Sequence, residues 1–349
     1  MVLLTASFVF AEISDSRKLL KVLLLVGLAS CLYGIGQHFI GSYQWESDWV
    51  MDVAFEETSS GWLTVGLGGV EFRLFSFFYN YMDFTFCNVL IFALGISFGA
   101  TLKGKWNMIR ILHVISWTIV LLLSLERTPL LMSLVAIAVI FYLNSGKEKR
   151  KRIIWKTAIL GGLFAAALTV ASPYLKETGA DKLIRLAELA NPFSATSMED
   201  RMMRKWAPTL QTIAANPLGV GIGYGSQTRA NTVAAQSNYW VEPHNEILQK
   251  TLEAGIVGGI VFLLLLISVF RDGIRLSKSH SRIRRLGIGF IATTIGFWLC
   301  GILNVPFSGS SGLLYWALAG VVLSMAERHH KLELDSAKKI IETVDKSRS

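Results

Sequence analysis

The chain has 349 residues, 52% of them hydrophobic and 17% charged, with a mean hydropathy of +0.47. Soluble domains are less apolar and carry more charge, so this composition excludes an ordinary soluble protein and calls for several membrane spans of about 20 apolar residues each. The formal net charge of +9 does not indicate a nucleic-acid partner, because the basic residues lie in short links between apolar runs.

Taken in chain order, apolar runs fall near 1–11, 19–40, 84–101, 108–124, 128–143, 153–171, 245–270, 286–305 and 313–326. They predict an all-α, polytopic integral membrane protein with about nine transmembrane helices. The first run is too short to cross a hydrocarbon core about 30 Å thick. It has no basic n-region and does not read as a signal peptide. The chain therefore reads as beginning inside a helix, without upstream spans. Basic residues mark alternate links: Arg17, Lys18 and Lys21; Lys103 and Lys105; the run Lys147 to Arg152; and Arg271 to Arg285. The positive-inside rule makes those links cytoplasmic. The connection 42–72 has no Lys or Arg and faces outward, as does the long segment 172–243. The expected organisation is N-terminal helices over 1–171, an extracytoplasmic loop with short helices over 172–243, C-terminal helices over 244–326, and a charged cytoplasmic tail over 327–349. Cys31, Cys87 and Cys300 lie in apolar runs without metal spacing and read as packing residues.

The outer connection 42–72 carries tryptophans suited to a membrane interface and a Glu46-Ser47-Asp48 triplet whose spacing is common by chance; no metal ligand is assigned. The next outward feature is Arg127, in the very short link Leu125-Glu126-Arg127-Thr128-Pro129. Its planar fork suits diphosphate oxygens. A salt bridge to Glu126 is the structural alternative.

In 172–243, Thr178–Ala190 has the spacing of an amphipathic helix, lying on the membrane or on the protein itself. Thr196-Ser197-Met198-Glu199 is a capping box that opens a helix carrying Arg201, Arg204 and Lys205 on its first two turns. That helix ends at Asn216-Pro217, and the glycines of 218–225 then permit tight turns. Pro243 suits the first position of the following helix, which places His244 in its first turn. There the helix field favours a neutral imidazole, able to accept a proton from a sugar hydroxyl. Glu246, Lys250 and Glu253 share a face by i, i+4, i+7 spacing. They are candidates for function or for mutual pairing. Gly255 and Gly259 form a small-xxx-small pair, read as a helix-packing device.

The blocks Arg201 … Trp206 … Asn216-Pro217-Leu218-Gly219-Val220-Gly221-Ile222-Gly223 … Pro243-His244-Asn245-Glu246 … Glu253-Ala254-Gly255 resemble the signature of the O-antigen ligase-like family. That family includes O-antigen ligases and the polymerases of O-antigen, capsule and exopolysaccharide. Phe72-Arg73-Leu74-Phe75-Ser76-Phe77-Phe78 and the Arg127 link extend the resemblance to roughly residues 30–325. It implies a GT-C-like membrane glycosyltransferase with an undecaprenyl-diphosphate-linked glycan donor and a glycan or lipid A-core acceptor. It places the active site on the periplasmic face of the bacterial inner membrane and implies no cofactor and no metal. By position, His244 matches the family's essential histidine, and Arg127 and Arg201 match its two diphosphate-binding arginines. Arg204, Asn245, Arg73 and Glu242, in or beside the matching blocks, are assigned to substrate binding. Glu126 replaces the usual Ser of the link, and Arg201 stands five residues before Trp206 where four is commoner. Ligase and polymerase share the signature. A lipid-linked sugar flippase and an inactive membrane scaffold remain the readings from other classes.

Overall fold

The computed structural model describes residues 16–41, 43–46, 48, 63–66, 69–72, 74–78, 80–124, 126–146, 201–223, 243–279 and 283–348. The expected spans 1–11 and 153–171, the helix 178–190 and the capping box 196–199 lie outside them. The described helices are α1 (Ser16–Ile40), α2 (Tyr81–Phe98), α3 (Lys105–Ser124), α4 (Arg127–Asn144), α5 (Ala207–Ala215), α6 (Glu246–Lys278), α7 (Arg284–Gly301) and α8 (Gly309–Arg348).

Five of these, α1, α2, α3, α6 and α8, are long and apolar enough to cross a membrane, and α4 is apolar but shorter. The nine expected spans thus reduce to five long ones among the described residues. The described residues are overwhelmingly helical, as expected, with one short hairpin beside the helices. Strands β1 (Leu63–Gly66) and β2 (Gly69–Phe72) pair antiparallel, Leu63 opposite Phe72 and Gly66 opposite Gly69. The run Leu63-Thr64-Val65 is rich in β-favouring residues, and Gly66 pairs with Gly69 at the end of the hairpin.

Helix α2 is the hub. It packs against α1, α3, α4, α7 and α8, while α7 also packs against α4 and α6. An all-round apolar helix belongs in the interior, and most of the α2 span is buried, whereas α3 leaves Met108, Ile111, Ile115, Ile119 and Leu122 on the outside. In lipid, helices gain little from hiding apolar surface from one another, so close packing and polar contacts hold such a bundle. The aromatic core supplies the packing. Tyr315 of α8 lies 5.3 Å from Phe297 and from Phe290, both on α7, and 4.8 Å from Phe307, centroid to centroid. Its buried hydroxyl meets Thr294 Oγ1 at 3.0 Å. A polar cluster binds α1, α2 and α3. Asn88 Nδ2 donates to Ser30 Oγ at 3.0 Å, and Asn88 Oδ1 lies 3.3 Å from both Cys31 Sγ and His113 Nε2. All three cysteines are buried free thiols, as their apolar settings implied.

The two ends of the bundle differ. At one end Arg285 donates to Ser97 O, Arg284 donates to Leu143 O and Ser277 O, and the Lys21 ammonium sits 5.1 Å from the Trp106 ring centre. Those residues come from the links that charge marked as cytoplasmic. At the other end the starts of α2, α4, α6 and α8 meet the end of α7.

The tail does not stand apart from the last span. Helix α8 runs unbroken from Gly309 to Arg348. Residues 327–348 contain neither Gly nor Pro, so nothing in them stops a helix already started in the bundle.

Candidate functional site

The site region is built around a helix that is interrupted. Gly255, inside α6, has φ 75° and ψ 178°, far from helical values. The carbonyls of Leu252 and Glu253 accept from Val220 N–H at 2.9 Å and Gly221 N–H at 3.1 Å, and Ile256 N–H donates to Pro217 O at 3.0 Å. The Gly-rich turn after α5 therefore completes the ladder of α6. Gly255 and Gly259 are not an interhelical packing pair. Gly255 marks a splice between helix and loop, because an added Cβ would lie 2.6 Å from Pro217 O and Leu218 C.

Upstream of the splice the polar face of α6 pairs within itself. Lys250 Nζ lies 3.6 Å from Glu246 Oε1 and 3.7 Å from Glu253 Oε2. It also donates to Ser308 Oγ at 3.1 Å, while Gln249 Nε2 donates to Glu253 Oε1 at 3.2 Å. Buried Glu246 accepts from Phe307 N–H at 3.0 Å and from the Ser308 hydroxyl at 3.1 Å. The spacing that suggested one face is realised as an ion-pair ladder tied to the α7–α8 connection.

His244 stands just before that ladder, with φ 44°. Asn245, not an earlier residue, is the N-cap of α6. Its side chain accepts from Leu248 N–H at 3.0 Å and donates to Ile302 O at 3.1 Å. Pro243 and His244 therefore precede the helix, contrary to the expectation that Pro243 opens it. The cap wins because Asn satisfies an orphan N–H that the Pro243 reading would leave to solvent. His244 is half-buried beside the helix start.

The remaining candidates distribute as follows. Arg127 begins α4, after Glu126 as N-cap. Its neighbour Thr128 makes a long 3.5 Å contact with Asn304 Nδ2. Arg201 begins a π-helical turn, Arg201–Trp206, that leads directly into α5, on which Arg204 is exposed. The backbone of α5 packs on α6, and the helix ends with Asn216 as C-cap before Pro217, as the sequence indicated. Arg73 and Glu242 lie outside the described residues. Glu46 is engaged at the end of α1. Its Oε1 accepts from Tyr33 and Gln37, each at 2.8 Å, and its Oε2 from Tyr43 N–H at 2.9 Å.

The starts of α4 and α6 thus meet one short connection, Ile302–Ser308. Asn245 bonds Ile302, Thr128 meets Asn304, and Glu246 bonds Phe307 and Ser308. Residues 111–263 match the family model described as O-antigen ligase. Over those residues the chain is similar to the O-antigen ligase family. The match includes Arg127, Arg201, Arg204, Glu242, His244 and Asn245, and stops short of Arg73. No curated protein compared with the chain matches it. That similarity falls on a bundle in which five described helices are long and apolar enough to cross a membrane.

The sequence reading missed the Ile302–Ser308 connection, and with it Asn304, Ser308, Ser311 and Asp83. Asp83 Oδ1, at the start of α2, accepts from Ser311 N–H at 3.1 Å and from the Ser311 hydroxyl at 3.2 Å, at the start of α8. The signal was present: Asn304-Val305-Pro306-Phe307-Ser308-Gly309-Ser310-Ser311 concentrates small polar residues between two apolar runs.

Proposed function

We propose that the chain transfers a glycan from undecaprenyl diphosphate to an acceptor hydroxyl in the assembly of a cell-surface polysaccharide, as ligase or polymerase, on the periplasmic face of the bacterial inner membrane. The observation that carries this reading is convergence. The Arg127 end of α4 and the His244 end of α6 meet one connection, and the Gly-rich turn that follows the Arg201 segment is spliced into the same α6. Sequence blocks far apart in the chain stand at one end of the bundle.

In this scheme the His244 imidazole takes the proton of the acceptor hydroxyl as that oxygen forms its bond to the anomeric carbon. The anomeric carbon–phosphate oxygen bond breaks and the lipid diphosphate leaves with the electron pair. Arg127 and Arg201 hold its charge through bidentate hydrogen bonds, and Arg204, Arg73 and Glu242 contact donor or acceptor. Asn245 acts differently from a direct ligand. Its side chain is occupied by Leu248 and Ile302, so it fixes the backbone that presents His244.

The interruption of α6 is the one observation that favours a transporter, since broken helices create ion and substrate sites in transporters. Here the carbonyls exposed by the break are taken by Val220 and Gly221. The residues beyond it, Ile256–Lys278, still extend about 34 Å, enough to cross the core. The break thus lies toward the end of the bundle rather than its midplane, which favours the transferase.

Complementation of a strain lacking this gene tests the scheme, with surface polysaccharide read on a gel at matched membrane levels of protein. His244→Asn and Arg127→Ala are expected to abolish the long glycan. Unlinked long chains on the carrier indicate a lost ligase, and single repeats on the acceptor a lost polymerase. Full complementation by both variants would overturn the reading.

A further inference from the structure

At the basic end of the bundle, a cleft of about 750 Å³ opens between α4, α6 and α7. Its deeper wall is apolar: Val139, Phe270, Ile274, Ile291 and Ile295. Its outer rim is polar, with Lys278 at the end of α6 and Arg284 at the start of α7. From Ser277 back to Phe270 is about 10 Å along α6, and from Arg284 to Ile295 about 16 Å along α7. The apolar groove therefore reaches inward along the helices from a cationic mouth.

Arg284 is held at that mouth by its backbone contacts. Nε donates to Ser277 O and Nη2 to Leu143 O, both at 3.1 Å, and a guanidinium has five N–H donors in all. The Leu143 bond also draws the end of α4 to the α6–α7 connection. In sequence α4 is followed by Lys147-Glu148-Lys149-Arg150-Lys151-Arg152, and Arg284 has basic neighbours in Arg282 and Arg285.

We propose that this cleft binds an anionic phospholipid, its phosphate at Lys278 and Arg284 and an acyl chain against Ile274, Phe270, Ile291 and Ile295. Basic pockets between helices on the cytoplasmic side suit such head groups. The apolar depth separates this occupant from free phosphate, which would use the rim alone. The proposal does not depend on the transferase reading, because it concerns the opposite end of the bundle.

Native mass spectrometry of the full-length chain in detergent, titrated with phosphatidylglycerol or phosphatidylcholine of equal chain length, tests it. Phosphatidylglycerol is expected to be retained at least tenfold better. Lys278→Gln, at an exposed position, should lower phosphatidylglycerol retention several-fold with the thermal midpoint in lipid-free detergent unchanged. Ile274→Trp, which fills the groove and leaves the charges in place, should lower it as well. Equal retention of the two lipids, or no loss with Lys278→Gln, would overturn the proposal. Loss with Lys278→Gln but none with Ile274→Trp would overturn the assignment of a lipid and leave a surface phosphate contact. A part of this chain filling the groove predicts no retention of either lipid and overturns it equally.

Discussion

The backbone of Gly255 fills the space beside Gly219, and the backbone of Pro217 and Leu218, just before Gly219, fills the space beside Gly255. A Cβ on Gly219 would strike Gly255 N and come within 2.6 Å of Glu253 O, and a Cβ on Gly255 would come within 2.6 Å of Pro217 O. Both have positive φ, 90° and 75°. The contact is backbone against backbone, so no flexible side chain can yield. Gly219→Ala and Gly255→Ala are each expected to destabilise the protein by about 3 kcal/mol or more, from clash plus strained φ. The double variant should be little worse than either single one, because one splice is lost in both cases. Gly221→Ala, with φ 107° but open space around the Cβ, isolates strain at about 1–3 kcal/mol. Gly36→Ala, also in open space, should be neutral or stabilising by up to about 1 kcal/mol. Thermal unfolding in detergent separates the four.

His244→Asn is the cleaner test of the proposed base. Asn tolerates positive φ far better than Ala, so the 44° backbone survives while the imidazole is lost. The thermal midpoint should stay near wild type. Glycan transfer, measured on lipid-linked donor with purified protein, should fall by about 10²–10⁴-fold. Retention of most of the activity would remove His244 from the chemistry.

Glu246 carries two predictions of different size. Glu246→Ala strands the buried Phe307 N–H and leaves Lys250 with fewer carboxylates, an expected loss of about 3–5 kcal/mol. Glu246→Gln keeps an acceptor for Phe307 and should lose only about 1–2 kcal/mol. If the two variants unfold at the same temperature, charge and not the hydrogen bond to Phe307 dominates at this position.

Asp83 joins the start of α2 to the start of α8. Asp83→Ala leaves the Ser311 backbone N–H without this acceptor and is expected to destabilise by about 1–3 kcal/mol. Ser311→Ala removes only the hydroxyl bond and should cost less. A double-mutant cycle on the pair should give a coupling of about 0.5–3 kcal/mol; zero coupling would show that the contact contributes nothing.

The long helices were legible because each lies on a long apolar run, and the Arg285–Ser97 and Asp83–Ser311 contacts stand at opposite ends of them. The start of α6 was misread by three residues because Pro243 and Asn245 are both good start signals, and only the Asn245–Leu248 bond decides between them. Gly255 was misread because a small-xxx-small pair looks the same whether it serves another helix or a loop. The partners of Glu246 and Asp83 lie 61 and 228 residues away, beyond any periodicity. Asn304 and Ser308 sat in view, but a short polar link between spans looks like a plain turn until its neighbours are known.

The splice at Gly255 also bears on biogenesis. A membrane helix must satisfy its own backbone before lipid surrounds it, yet α6 relies on Val220 and Gly221 for the carbonyls of Leu252 and Glu253. Those donors precede α6 in the chain, so they are made first. Order of synthesis thus supplies the missing rungs before the helix that needs them arrives. A circular permutation that moved residues 201–223 behind α6 would keep every contact on paper and still deny the helix its partners at the moment of insertion.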